Sequence, residues 1–318
     1  MVTACEDSRA GTRIPVPFGN IEIDDHLGDC AMPDAPSRRE FCRTVLATAG
    51  AAGLPAKLFA VEDQPRQVNG ISLTDYHVHR DGTTVERLLE ISRQRGVKFG
   101  IVEHAGKREN DYPVILANDE ELTAYIAGLE GKPVYKGVQA EYLDWMSCFS
   151  KEAVAKLDYV LTDALTIRGK DGRRVKMWSP AFQIGDPERF MDEYVEFHEE
   201  VMAAGPIDIL ANVTWLPKAI EKQYDQLWTV RRFRKVVDAA LKYGVALEIN
   251  SLYLIPRLPL LRIAKEAGVK FSFGSNIRGP NVGQLDYCVE MIRALGLSGN
   301  DCFTPAPAGR KPVELRKW

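Results

Sequence analysis

The chain has 318 residues, with 41 Lys and Arg against 44 Asp and Glu, five His and six Cys; 45% of it is hydrophobic and 27% is charged. A formal charge of −3 and an isoelectric point near 6.0 give no basic field for nucleic acid or anionic lipid, so binding through phosphate neutralisation is not expected. The length suits one large domain or two ordinary ones, and an α/β barrel of roughly 250 residues falls in the first class.

Residues 37–43 read SRREFCR, and residues 44–54 form an uncharged run of small and apolar residues, TVLATAGAAGL. The pair Arg38 and Arg39, the following Phe41 and an apolar stretch too short to span a bilayer resemble a twin-arginine export signal; the same residues also read as a short amphipathic helix. Residues 1–31 are acidic and punctuated by Pro and Gly, which is unusual upstream of such a signal and makes Met32 a candidate initiator. Residues 1–60 are therefore read as a leader, with cleavage near Ala56 or Ala60, and residues 61–318 as a single barrel domain with a C-terminal strap. The resemblance implies the twin-arginine export machinery as a partner, an exported location and no membrane span in the mature chain. Cys148, Cys288 and Cys302 remain after the leader, an odd set that reads as buried thiols.

Short apolar runs rich in Val, Ile, Leu, Tyr and Phe occur at residues 71–78, 98–103, 134–140, 158–163, 207–213, 245–250 and 269–275. Helical patterns fall between them at 84–95, 119–129, 151–156, 187–204, 230–243, 259–267 and 285–295. Gly96, Gly131, Gly244 and Gly268 stand where a helix would hand over to the next strand. Strict alternation of strand and helix predicts a parallel sheet. The polar residues at the strand ends are, in order, His77 and His79, Glu103 and His104, Gln139 and Glu141, Asp163, Asn212 and Thr214, Glu248 and Asn250, then Asn276 and Arg278. In a parallel barrel these all open on the face where active sites are built. No GxGxxG follows the first strand, which argues against an open dinucleotide-binding sheet.

His-x-His on a strand points both imidazoles to one face, a metal-ligand spacing, and His104 with Glu103 adds donors at the end of the next strand. Here the chain resembles the polymerase and histidinol phosphatase (PHP) family of metal-dependent phosphoesterases. DYHVH at 75–79 is similar to that family's D-x-H-x-H, VEH at 102–104 to its T-D-H, LEINS at 247–251 to L-E-I-N-S, and FGSNIR at 273–278 to x-G-S-D-x-H. The resemblance runs over residues 70–280 in order. It implies a distorted seven-stranded TIM-like (βα)7 barrel, a mouth that binds two or three Zn, Mn or Fe ions, and hydrolysis of phosphate esters by metal-activated water. Carried over, His77, His79, His104 and Glu103 stand at metal-ligand positions.

The sequence also departs from that pattern. Gln139 stands for a bridging Glu, Leu165 and Asn212 for two His, and Asn276 and Arg278 for the last Asp and His. Amides are poor ligands for Zn and Leu is none, so a reduced site is expected, with one divalent ion on His77, His79 and His104 helped by Glu103, Glu141 or Asp163. In that reading Glu248 is a candidate base, and Arg278 and Lys136 clamp an anionic small-molecule substrate. The alternative is a metal-free barrel in which Gln139, Asn212, Asn250, Asn276 and Arg278 form a cup for a sugar or carboxylate, or a non-catalytic scaffold. Trp145, Trp178, Trp215 and Trp228 read as core or rim residues, residues 167–178 as a solvated hairpin, residues 107–111 as a loop above the site, and His198 as a surface residue.

Overall fold

The computed structural model describes residues 65–169, 172–180 and 182–316. The leader assigned to residues 1–60 lies outside the described residues. Seven strands run parallel and side by side in sequence order: β1 (Thr74–His79), β2 (Lys98–Val102), β3 (Tyr135–Ala140), β4 (Tyr159–Thr162), β5 (Ile209–Leu210), β6 (Ala246–Asn250) and β7 (Phe271–Gly274). Six of the seven sequence runs contain one of them, β1 overlaps the first run and ends one residue beyond it, and the run at 207–213 yields only the two residues of β5. No ladder bond joins β7 to β1, yet the edges meet closely. Asp75 spans the seam, its Oδ1 accepting the backbone N–H of His77 at 3.0 Å and of Ser275 at 2.9 Å, while Asn276 N–H donates to His77 O at 3.2 Å. The result is a nearly closed α/β barrel of the TIM-like kind.

The helices that return the chain are α1 (Val85–Arg95), α2 (Asp119–Leu129), α3 (Pro187–Ala204), α4 (Val230–Tyr243), α5 (Leu258–Ala267) and α6 (Asp286–Leu295). Four of them start on a capping side chain, since Thr84, Asn118, Asp186 and Thr229 each accept the N–H of the third residue on. Gly96, Gly244 and Gly268 close α1, α4 and α5 in the left-handed region. Gly131 differs from expectation: α2 ends at Leu129 with Glu130 extended, and Gly131 turns the chain one residue later.

Two layers form the core. The larger lies between strands and helices, with Leu88, Leu122, Met191, Val236 and Leu260 among its members. The smaller fills the lower barrel with Tyr76, Val102, Tyr159, Leu161, Ile209, Ala211 and Ala246, under Phe303 from the C-terminal segment. Tyr159 is the large side chain here, and its hydroxyl donates to Tyr76 O at 2.7 Å. Gly100 on β2 and Gly137 on β3 leave the space its ring occupies, since a Cβ at either would collide with it.

Three expectations need correction. His198 is buried, its Nδ1 2.7 Å from Tyr194 O and its Nε2 2.7 Å from Val213 O, because it falls on the same α3 stripe as Met191, Tyr194 and Val201. Of the three thiols only Cys288 is buried; Cys148 and Cys302 are partly exposed. Residues 166–176 do form a hairpin, Thr166–Arg168 against Arg174–Lys176, but Lys176 and Arg174 fold back onto Tyr112 and Tyr142. In the C-terminal segment Lys311 Nζ donates to Ala155 O and Arg316 Nη1 to Gly205 O.

Gly137→Ala is expected to lower stability by about 1–3 kcal/mol through overpacking against Tyr159. Denaturant titration checks this, and the loss should shrink when the same change is made in a Tyr159→Leu background.

Candidate functional site

The pleat decides which strand-end residues meet. Side chains alternate along a strand, so inward positions share parity. On β3 the series 135, 137, 139 continues to Glu141; on β4 it runs 159, 161, 163; on β6 it runs 246, 248, 250. On β2, Gly100 and Val102 lead to His104. On β1 a register shift between Asp75 and Val78 lets Tyr76 face the lower barrel while His77 and His79 face the mouth.

The inward set closes on itself. His77 Nδ1 lies 2.6 Å from Glu248 Oε1, and its Nε2 lies 3.1 Å from Gln139 Oε1. His79 Nε2 faces the same oxygen at 3.0 Å. Gln139 Nε2 donates to Asp163 Oδ2 at 3.3 Å, and Asn212 Nδ2 donates to it at 3.1 Å. Asn250 Nδ2 then donates to Asn212 Oδ1 and back to Glu248 Oε2, which also accepts the Asn212 N–H. Gly274 on β7 makes room for this, because a Cβ there would strike Glu248 and His77. Asn212 adopts a left-handed φ of 54°, the turn that brings both its N–H and its amide into the ring.

Charges follow from these contacts. Burial opposes a charged His77, but Glu248 outweighs it and the imidazole is held above its ordinary value. Glu248 is also desolvated, yet His77 keeps its carboxyl below the usual range. The two form a buried ion pair, so Glu248 is committed to His77 and the base role expected of it is replaced by a fixed countercharge. Burial, then His104 and His77, hold His79 well below its usual value; its Nδ1 has no hydrogen-bond partner.

A second pair stands beside the ring. His104 Nδ1 lies 2.6 Å from Glu141 Oε1, with the Tyr112 ring stacked on the imidazole at 3.7 Å and His79 at 4.6 Å. Burial pushes Glu141 up to about 8 and His104 down to about 3. At neutral pH the carboxyl therefore keeps its proton and donates it to a neutral imidazole. Asp163 is pushed up to about 6 by desolvation and by Glu141. The Arg278 cation lowers the proton affinity of all three imidazoles. Its Nε donates to Asp81 Oδ2 at 2.6 Å and its Nη1 to Asn276 O at 2.9 Å, leaving Nη2 without a partner among the described residues.

Two expected site residues point elsewhere, both for reasons of parity. Glu103 lies between inward Val102 and His104, so its carboxylate faces outward and accepts from Arg80 Nε at 2.7 Å. Lys136 lies between Tyr135 and Gly137 at the opposite end of its strand and pairs with Glu130 at 3.1 Å. Neither metal ligation nor anion clamping fits those places. Asp75, Arg80 and Tyr112 were not singled out from the sequence as site residues; Asp75 was legible as two residues before His77, whereas Tyr112 needed the fold to reach His104.

The donor chemistry does not fit the ions the family resemblance implies. Among the imidazoles of the described residues, His77 Nε2 and His79 Nε2 converge on one point, that point is a neutral amide oxygen, and His104 turns its Nδ1 to Glu141. Among the described residues no group of three or more His, Cys, Asp or Glu stands so as to hold a metal ion. A dense set of hydrogen bonds satisfies the polar atoms instead.

No family model matches the sequence, and no curated protein matches it. Among solved structures the fold is similar to that of histidinol phosphate phosphatase from Lactococcus lactis subsp. lactis Il1403, solved with zinc, L-histidinol and phosphate, at 14% identity and a TM-score of 0.51, covering 77% of this chain and 99% of that one. The catalytic domain of a mannanase from Streptomyces sp. SirexAA-E matches at 13% identity and a TM-score of 0.35, covering 78% of this chain and 83% of that one. The first likeness shows that the two chains share a barrel fold.

Proposed function

We propose that the barrel mouth hydrolyses a small anionic ester by general acid–base catalysis with the chain's own carboxyl groups. The observation that carries this reading is the pair Asp163 and Glu141, which face one interior and are pushed to about 6 and about 8. Between those values one is a carboxylate and the other a carboxylic acid, the division of labour that acid–base catalysis requires. Asp163, partly open to solvent, takes a proton from the attacking water as its oxygen bonds to the ester centre. His104 gives its Nε2 proton to the departing oxygen and receives the Glu141 proton at Nδ1. Arg278 holds the substrate anion with its free nitrogen, and the His77–Glu248 pair keeps Gln139 and Asn212 aimed at Asp163. Phosphate in the similar structure makes phosphoesters the first compounds to screen.

Activity should be bell-shaped in pH, rising as Asp163 loses its proton near 6 and falling as Glu141 loses its own near 8. Asp163→Asn should lower kcat by about a hundredfold or more and remove the acid limb. An unchanged profile in that variant would assign the base to another group.

Chelator treatment should leave activity intact, and protein purified without chelators should carry no stoichiometric Zn, Mn or Fe by elemental analysis. About one ion per chain, lost in a His77→Ala/His79→Ala variant, would replace this reading with the reduced metal site.

Export through the twin-arginine route belongs to the same proposal, supported by the residues around Arg38 and Arg39. Arg38→Lys/Arg39→Lys should keep the chain inside the cell on fractionation.

A further inference from the structure

Between α3 and the hairpin at Thr166–Arg168 lies a cavity of about 430 Å³. Its walls include the rings of Tyr142, Phe190, Tyr194 and Phe197, and its rim carries Glu193, Glu196 and Glu200. The aromatic wall is built in place. Phe190 stacks on Tyr194 at 5.5 Å, and Tyr142 meets Phe197 at 6.3 Å. Tyr142 reaches this wall through a left-handed φ of 68°, a conformation that costs a bulky residue energy, and Arg174 braces the ring from 4.5 Å.

Two unsatisfied features border the same space. The Tyr194 hydroxyl is buried and has no hydrogen-bond partner. Glu196 and Glu200 are exposed, stand one helical turn apart, and have no ion-pair partner among the described residues. Like charges at that spacing repel, so a cation placed between them relieves a standing cost. Glu193 is already paired with Arg189 at 2.8 Å, and Arg168 stands on the opposite wall.

We propose that this cavity is a binding site for a small organic cation, an ammonium or quaternary ammonium group carried on an apolar body. The aromatic wall attracts the charge, and Glu196 and Glu200 balance it. The volume falls within the range of small-molecule sites. The proposal does not depend on the ester chemistry proposed above.

Benzyltrimethylammonium chloride titrated into the full chain by calorimetry tests the assignment. Saturable one-site binding is expected at about millimolar Kd or tighter, with benzyl alcohol binding much more weakly. Glu196→Gln/Glu200→Gln changes only exposed side chains and should weaken binding about fivefold or more, and Phe197→Leu, which keeps apolar volume but removes the ring, should do likewise. Absence of saturable binding, equal affinity for benzyl alcohol, or an unchanged Kd in the folded double variant would each overturn the proposal.

Discussion

Buried polar groups must satisfy one another, and this constraint organises the upper half of the barrel. One imidazole, two carboxyl groups and three amides meet there in a ring that runs from Glu248 through His77, Gln139, Asp163, Asn212 and Asn250 back to Glu248, with His79 joined to it at Gln139. An unpaired buried amide or charge costs on the order of 1–3 kcal/mol or more, so the members hold each other in place. Removing any one breaks the bonds it makes to both of its neighbours in the ring. The strand order, the glycine at 274 and the unusual turn at Asn212 all serve the closure of that ring.

The lower half obeys a different constraint, that of volume. Tyr159 reaches across to Tyr76 because Gly100 and Gly137 have no side chains to oppose it, and Phe303 from the tail closes the floor beside Tyr76 at 5.2 Å. The barrel therefore changes from a packed aromatic floor to a polar mouth along the same strands. Asp75 sits at the junction, sealing the one seam that lacks ladder bonds.

These constraints explain how the chain can share a barrel with metal-binding proteins and still have a differently built mouth. Where the family pattern places a bridging carboxylate, Gln139 supplies one oxygen to two imidazoles and one N–H to Asp163. Where it places a terminal imidazole, Arg278 supplies a permanent cation that discourages protonation of every nearby histidine. Beside them stand Asp163 and Glu141, two carboxyls whose proton affinities are raised first of all by burial.

Much of the fold was legible in the residues. Seven apolar runs, helical stripes between them, side-chain caps such as Thr84 and Asp186, and glycines such as Gly96 and Gly244 each act over a few residues, so local pattern predicts them. Strand parity was equally present in the sequence and would have turned Glu103 and Lys136 outward; the α3 stripe would have buried His198. What only the tertiary structure decided is the pairing of groups far apart in the chain: Glu248 with His77 across 171 residues, Ser275 with Asp75 across 200, and Tyr112 stacked on His104. Those contacts set which carboxyl is an anion and which keeps its proton, because desolvation and Coulomb forces depend on distance through space, which a strand's pleat and a barrel's closure create and a linear spacing does not.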